Sequence, residues 1–148
     1  MNIGSLELVL GSQSGLNTPA TDVFTGVLLN GATSIWSNPF KLGNATSFGC
    51  AVVCTGSSPV VQIQLEESFY NLALNGQSLN ASSNFYVVPD AFPDIFPQIS
   101  DTNWHLPSEP VTPIPMQYGR FKVNGLSGNG TNTTVLIYLF RQEPARFL

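Results

Sequence analysis

The sequence predicts an all-β protein, an antiparallel β-sandwich or jelly roll with one long proline-rich excursion. Three observations carry this. Apolar and polar residues alternate at period two in several short segments. Turn residues recur roughly every 8–12 positions. Successive strand candidates are separated by turns instead of helical stretches, which disfavours a parallel α/β sheet.

In chain order, Leu6–Leu10, Val23–Leu29 and Thr33–Trp36 are short strand candidates. Ser47 to Thr55 is a longer one, and Gly56-Ser57-Ser58-Pro59 turns the chain into Val60–Glu66. There Val61, Ile63 and Leu65 share one face while Gln62, Gln64 and Glu66 share the other, as in a strand with one wet side. These two strands are expected to pair as a hairpin. Only Ser68 to Leu74 carries a helical alternative, of one or two turns, closed by Asn75-Gly76. Tyr118 to Val123 alternates again, with Arg120 and Lys122 opposite Phe121 and Val123. Asn124-Gly125 and Gly128-Asn129-Gly130 mark a second hairpin turn. It leads into Thr134–Phe140, which is apolar on both faces and reads as a central strand.

One segment breaks the pattern. Residues 85–115 hold seven of the eleven prolines, five aromatics (Phe85, Tyr86, Phe92, Phe96, Trp104) and no Lys or Arg. Proline cannot donate a ladder hydrogen bond, so an irregular inserted loop is expected. The whole chain, 1–148, reads as one domain carrying that insertion. Loops this long inside a compact domain are usually functional or disordered, and five aromatics argue against disorder. Phe92, Phe96 and Trp104 are therefore candidate apolar anchors of an interface, ringed by Asp90, Asp94, Asp101 and Glu109; the equal alternative is that the excursion packs over one end of its own sandwich.

The composition excludes several classes. Hydrophobic residues are 43% and charged residues only 9%, against about 25% charged in an average domain. The net charge is −4, and Arg120, Lys122, Arg141 and Arg146 are thin support for a nucleic-acid surface. No run approaches 18 apolar residues, so no membrane-spanning helix is expected. The first residues lack a basic region and a long apolar run, so the chain is expected either to stay in the cytoplasm in which it is made or to be a mature fragment. Cys50 and Cys54 lie four apart on one strand face, roughly 13 Å at 3.3 Å per residue. They are expected to be unbridged, buried thiols.

Catalytic chemistry finds little support. His105, four residues after Asp101, is the single histidine and reads as a loop residue bonded locally, the rival being a general base oriented by Asp101. Glu66 and Glu67 point to opposite faces of a strand and read as a solvated strand end. Asp90, Asp94 and Asp101 match no calcium-loop spacing. No catalytic residue, metal site or cofactor is expected. Trp36, Trp104 and Tyr118 are candidates for stacking on sugars. The low charge, high apolar share and aromatics instead match the composition of protein interfaces.

Trp36-Ser37-Asn38-Pro39-Phe40-Lys41-Leu42-Gly43, the Phe48–Thr55 strand, Pro59–Ser68, Tyr118–Asn129 and Thr133–Leu139 follow one another in an order that resembles small β-sandwich structural proteins of tailed bacteriophages, of the head-decoration and tail-associated type. The resemblance covers roughly residues 33–68 and 116–140 and leaves the proline-rich excursion outside. It implies a non-enzymatic virion component, assembled in the bacterial cytoplasm, associating with itself (as a trimer, for instance) and with other virion proteins such as a major capsid protein. Neither nucleic acid nor membrane is an expected partner. The alternative expectation is a carbohydrate-binding or adhesin-like domain that uses exposed aromatics.

Overall fold

The computed structural model describes residues 2–14, 23–42, 45, 47–68, 86–87, 95–107 and 118–144. Among them are thirteen strands and no helix: β1 (Asn2–Leu10), β2 (Ser12–Ser14), β3 (Val23–Thr25), β4 (Val27–Leu29), β5 (Ser34–Trp36), β6 (Phe40–Lys41), β7 (Ser47–Thr55), β8 (Val61–Ser68), β9 (Tyr86–Val87), β10 (Phe96–Ile99), β11 (Trp104–His105), β12 (Tyr118–Gly125) and β13 (Thr133–Pro144). Two antiparallel sheets pack as a β-sandwich. Sheet 1 runs β1-β13-β7-β11, with β4 also on β13; sheet 2 runs β10-β8-β12-β5, with β6 on β12 and β9 on β8. A separate pair, β2 and β3, lies off both.

The core is what the alternation dictates. Phe48, Cys50, Val52 and Cys54 of β7 and Val135, Ile137 and Leu139 of β13 face inward from sheet 1. Val61, Ile63 and Leu65 of β8 and Phe121 and Val123 of β12 face them from sheet 2. All are buried, and each large aliphatic or aromatic side chain among them stabilises the fold by roughly 1.5–3 kcal/mol. Cys50 and Cys54 are free and buried, as expected.

Neither expected hairpin forms. β7 belongs to sheet 1 and β8 to sheet 2, and likewise β13 and β12. The turn residues at 56–60 and 126–132 reverse the chain but carry it across the core, from one sheet to the other. The chemistry that would permit a hairpin serves the arch equally well: Gly56 takes φ +114°, a value open to glycine. Asn129 ties the two arches together. Its Oδ1 accepts from Val60 N–H at 3.0 Å and Thr133 Oγ1–H at 2.9 Å, while its Nδ2 donates to Leu29 O at 3.1 Å and Gly31 O at 2.8 Å.

Val23–Leu29 is two strands instead of one. It breaks at Gly26, where a Cβ would come within 2.8 Å of Thr134 Oγ1 and 3.0 Å of the Val135 backbone. The proline-rich segment is less irregular than proline content implies. β9 and β10 add to the edge of β8 in sheet 2, and β11 then pairs with β7 in sheet 1. Residues 100–103 thus cross from one sheet edge to the other. Pro97 sits inside β10, on an edge, where a missing N–H is tolerated. The helical alternative falls on β8 at Ser68 and otherwise outside the described residues.

Candidate functional site

The outer faces of the two sheets differ in chemistry. On sheet 2 the outward residues form polar rows across the strands. Ser34 Oγ donates to Asn124 Oδ1 (2.7 Å), and Asn124 Nδ2 donates to Gln62 and Gln64 Oε1 (3.1 and 3.0 Å). In the next rows Trp36 stands opposite Lys122, and Arg120 opposite Glu66. The indole reaches across β12: its Nε1–H donates to Glu66 Oε1 at 3.3 Å, and the Arg120 guanidinium carbon lies 5.3 Å from the ring centroid. Arg120 Nε donates to Glu66 Oε2 at 2.9 Å, with Nη2 at 2.8 Å. Arg120 and Glu66 are buried, so this pair is sealed inside the fold and Trp36 is committed to it. A solvated strand end at Glu66 is therefore incorrect.

Glu67 departs further from that expectation. It follows Leu65 on the inward face of β8, opposite Gly119. It is fully buried and neither carboxylate oxygen has a hydrogen-bond partner. Burial alone pushes its carboxyl up to about 7.

On sheet 1 the middle of the outer face is apolar, and polar pairs, Thr55 with Thr134 and Ser47 with Gln142, close its two ends. Of five large hydrophobic side chains exposed among the described residues, four share this face: Leu28 (54%), Trp104 (53%), Leu106 (65%) and Phe140 (37%). The fifth, Val27, lies on its edge strand β4. Leu136, also outward, is covered where the chain passes Gly11 into β2; a Cβ at Gly11 would come within 3.1 Å of its Cδ1. Beyond Leu136 the face opens. Trp104, in register with Val53, lies beside Tyr138, whose ring centroid is 6.3 Å away. Along β7 the outward positions between these walls are the small residues Gly49 and Ala51. The result is a trough. At its far end is a pocket of about 210 Å³ lined by Ser47, Gly49, Leu106, Pro107, Phe140 and Gln142, with Phe48 and Cys50 contributing below.

The sequence-predicted anchors divide. Trp104 is exposed and forms one wall of the trough. Phe96 is 8% exposed and packs in the core from β10, so it is not an interface anchor; the inward position of an edge strand claims it. Phe92, Asp90 and Asp94 lie outside the described residues. His105 and Asp101 do meet, Nε2 to Oδ1 at 2.6 Å, on the surface. The His105 bond, with a further one from Asn103 N–H at 3.0 Å, holds the Asp101 carboxyl below its ordinary range. This clamp shapes the turn that presents Trp104. Among the described residues no group of three His, Cys, Asp or Glu gathers as for a metal ion, and no helix is long and apolar enough to cross a membrane. Sequence reasoning missed Leu28, Leu106, Phe140 and Gly49. The apolar second face of β13 was their one signal.

No family model and no curated protein matches the chain. Among solved structures it is similar to dimeric latent PorU from Porphyromonas gingivalis, at 15% identity and a TM-score of 0.45, over 99% of this chain and 13% of that one. The chain thus spans a small part of that protein's length.

Proposed function

We propose that this protein is a non-enzymatic structural component of a bacteriophage particle, of the decoration or cement type, that attaches to other virion proteins through the outer face of sheet 1. One observation carries the reading: the exposed large hydrophobic side chains are gathered on that face while the opposite face is polar and internally bonded. Apolar patches of this kind mark protein contacts; Trp is among the side chains that most often supply interface energy, and Phe is enriched at interfaces. Assembly in the bacterial cytoplasm agrees with two free, buried thiols. Self-association of the virion copies belongs to the same proposal. The test is rebinding of the purified protein to particles that lack it, with Leu106→Asp as the probe. Stoichiometric attachment by the wild type and its loss in the variant support the reading. Absence of the protein from purified particles by mass spectrometry overturns it.

A second reading, carbohydrate binding, rests on the Trp104–Tyr138 pair, two rings side by side on an open sheet face. A glycan array decides it: an uncharged oligosaccharide retained by the wild type and lost in Trp104→Ala favours it over protein docking.

A further inference from the structure

Gly49 sits inside a regular strand on an apolar face, where glycine weakens a strand and has no side chain to pack. The usual reasons for such a glycine are absent. The pairing of β7 with β13 runs from Ser47 to Thr55 without a bulge, with Gly49 opposite Phe140. Its φ is not positive. The Phe140 ring does not lie over it, because a Cβ added at Gly49 would meet one heavy atom within 4 Å, Pro107 Cγ at 3.7 Å. That is an ordinary contact. What the missing side chain preserves is the pocket above it.

The shape and chemistry of that space define an occupant. About 210 Å³ exceeds the roughly 150 Å³ that accepts a benzene ring, so one aromatic or branched aliphatic side chain fits. Among the described residues that line the pocket none is charged, and a charge placed against them would be desolvated without a partner among them. Among the described lining residues the polar side chains are Ser47 and Gln142, few for gripping a sugar's hydroxyls. The trough runs along β7, so an occupant following it is extended. From β11 to β1 and from Ser47 to Val53 the open face measures roughly 15 Å by 20 Å. That is on the order of 300 Å², well below the roughly 800 Å² per partner of a stable interface between globular domains. A strand-sized segment suits it better than the flat face of a second copy.

We propose that the trough on the outer face of β7 receives an uncharged, extended segment of a partner protein, with one aromatic or branched aliphatic side chain seated in the pocket over Gly49. This rests on the reading of sheet 1 as a protein-docking face and names what docks there.

The experiment pans a library of random nine-residue peptides against the full chain and, in parallel, against Gly49→Val, which fills the pocket from its floor. Affinities of the enriched peptides are then measured by Trp104 fluorescence. The expected result is neutral peptides with one Phe, Trp, Leu or Ile whose replacement by Ala weakens binding at least tenfold, and an equal loss in Gly49→Val. If Gly49→Val folds poorly, Gly49→Ala adds a single methyl group where there is room, and a several-fold loss at an unchanged unfolding midpoint is expected. Charged consensus peptides, peptides that bind Gly49→Val as well as wild type, or no enrichment overturn the proposal. So does cellohexaose shifting the Trp104 signal equally in both proteins when no peptide does. The particle-rebinding test with Leu106→Asp stands apart: if it succeeds while the peptide test fails, docking on sheet 1 holds and the occupant is wrong.

Discussion

Replacing Glu67 with Gln removes a charge from the inside of the sandwich while keeping its shape. The carboxyl's ordinary value is 4.5, and burial raises it to about 7 in the folded chain. The folded state therefore holds this proton more tightly than the unfolded state does. Its contribution to stability is fully present below pH 4.5 and is lost as pH rises through 7. Each pKa unit is worth about 1.4 kcal/mol, so wild type forfeits up to roughly 3 kcal/mol between pH 4.5 and pH 8.5 on account of this group. Glu67→Gln carries a neutral amide of equal size and forfeits nothing. At pH 4.5 the two proteins should unfold at similar urea concentrations. At pH 8.5 the variant should be the more stable by up to about 3 kcal/mol, or roughly 6–12 °C in Tm for a domain of this size. Other titrating groups act on both proteins alike and cancel in the difference. Parallel dependence of the two proteins on pH, with no gain at pH 8.5, would refute the claim that Glu67 is buried and unpartnered.

Other expectations follow from the same geometry. Asn129→Ala removes four hydrogen bonds that join both arches and β4, and should cost about 2–4 kcal/mol in urea unfolding; Asn132→Ala, at an exposed position nearby, should cost under about 1 kcal/mol. Arg120→Met leaves Glu66 buried without its cation and should destabilise by about 3–5 kcal/mol, whereas adding Glu66→Met should restore most of the loss in a double-mutant cycle. Burial pushes the Cys50 and Cys54 thiols up to about 12, so iodoacetamide at pH 8 should add nothing to the native protein and two adducts after denaturation, read by intact mass.

Period-two alternation made the strands and their inward residues legible: Val61, Ile63 and Leu65 are core because a strand offers no other face for them. Two kinds of information were not local. Turn residues say that the chain reverses, not whether the reversal stays in one sheet or crosses about 10 Å to the next; β7 and β8 separate because β7 finds β13 instead. An apolar position says that water is avoided, not what covers it. Leu136 is covered by the turn at Gly11, while Phe140, four residues on along the same face, is open. The same gap hid the burial of Glu66 and Glu67, whose opposite orientations were plain but whose neighbours were not. Phe96 and Trp104 looked alike as aromatics among prolines, and only their register against β8 and β7 separates a core residue from an exposed one.

The pairing of β1 with β13 sets the order in which this chain can become a protein. Asn2 lies opposite Pro144, and β13 is also the central partner of β7. Until the residues of β13 leave the ribosome, β1 and β7 have no strand between them, and the apolar residues of half the sandwich have nothing to close against. Sheet 2 can assemble once β12 is out; sheet 1 must wait for the final strand. Such dependence on distant partners makes folding slow for a domain of this size and leaves unpaired strand edges exposed during synthesis. That interval is when chaperone capture or premature association competes with folding. A ribosome stalled before residue 133 should hold a nascent chain that remains protease-sensitive throughout β1 and β7.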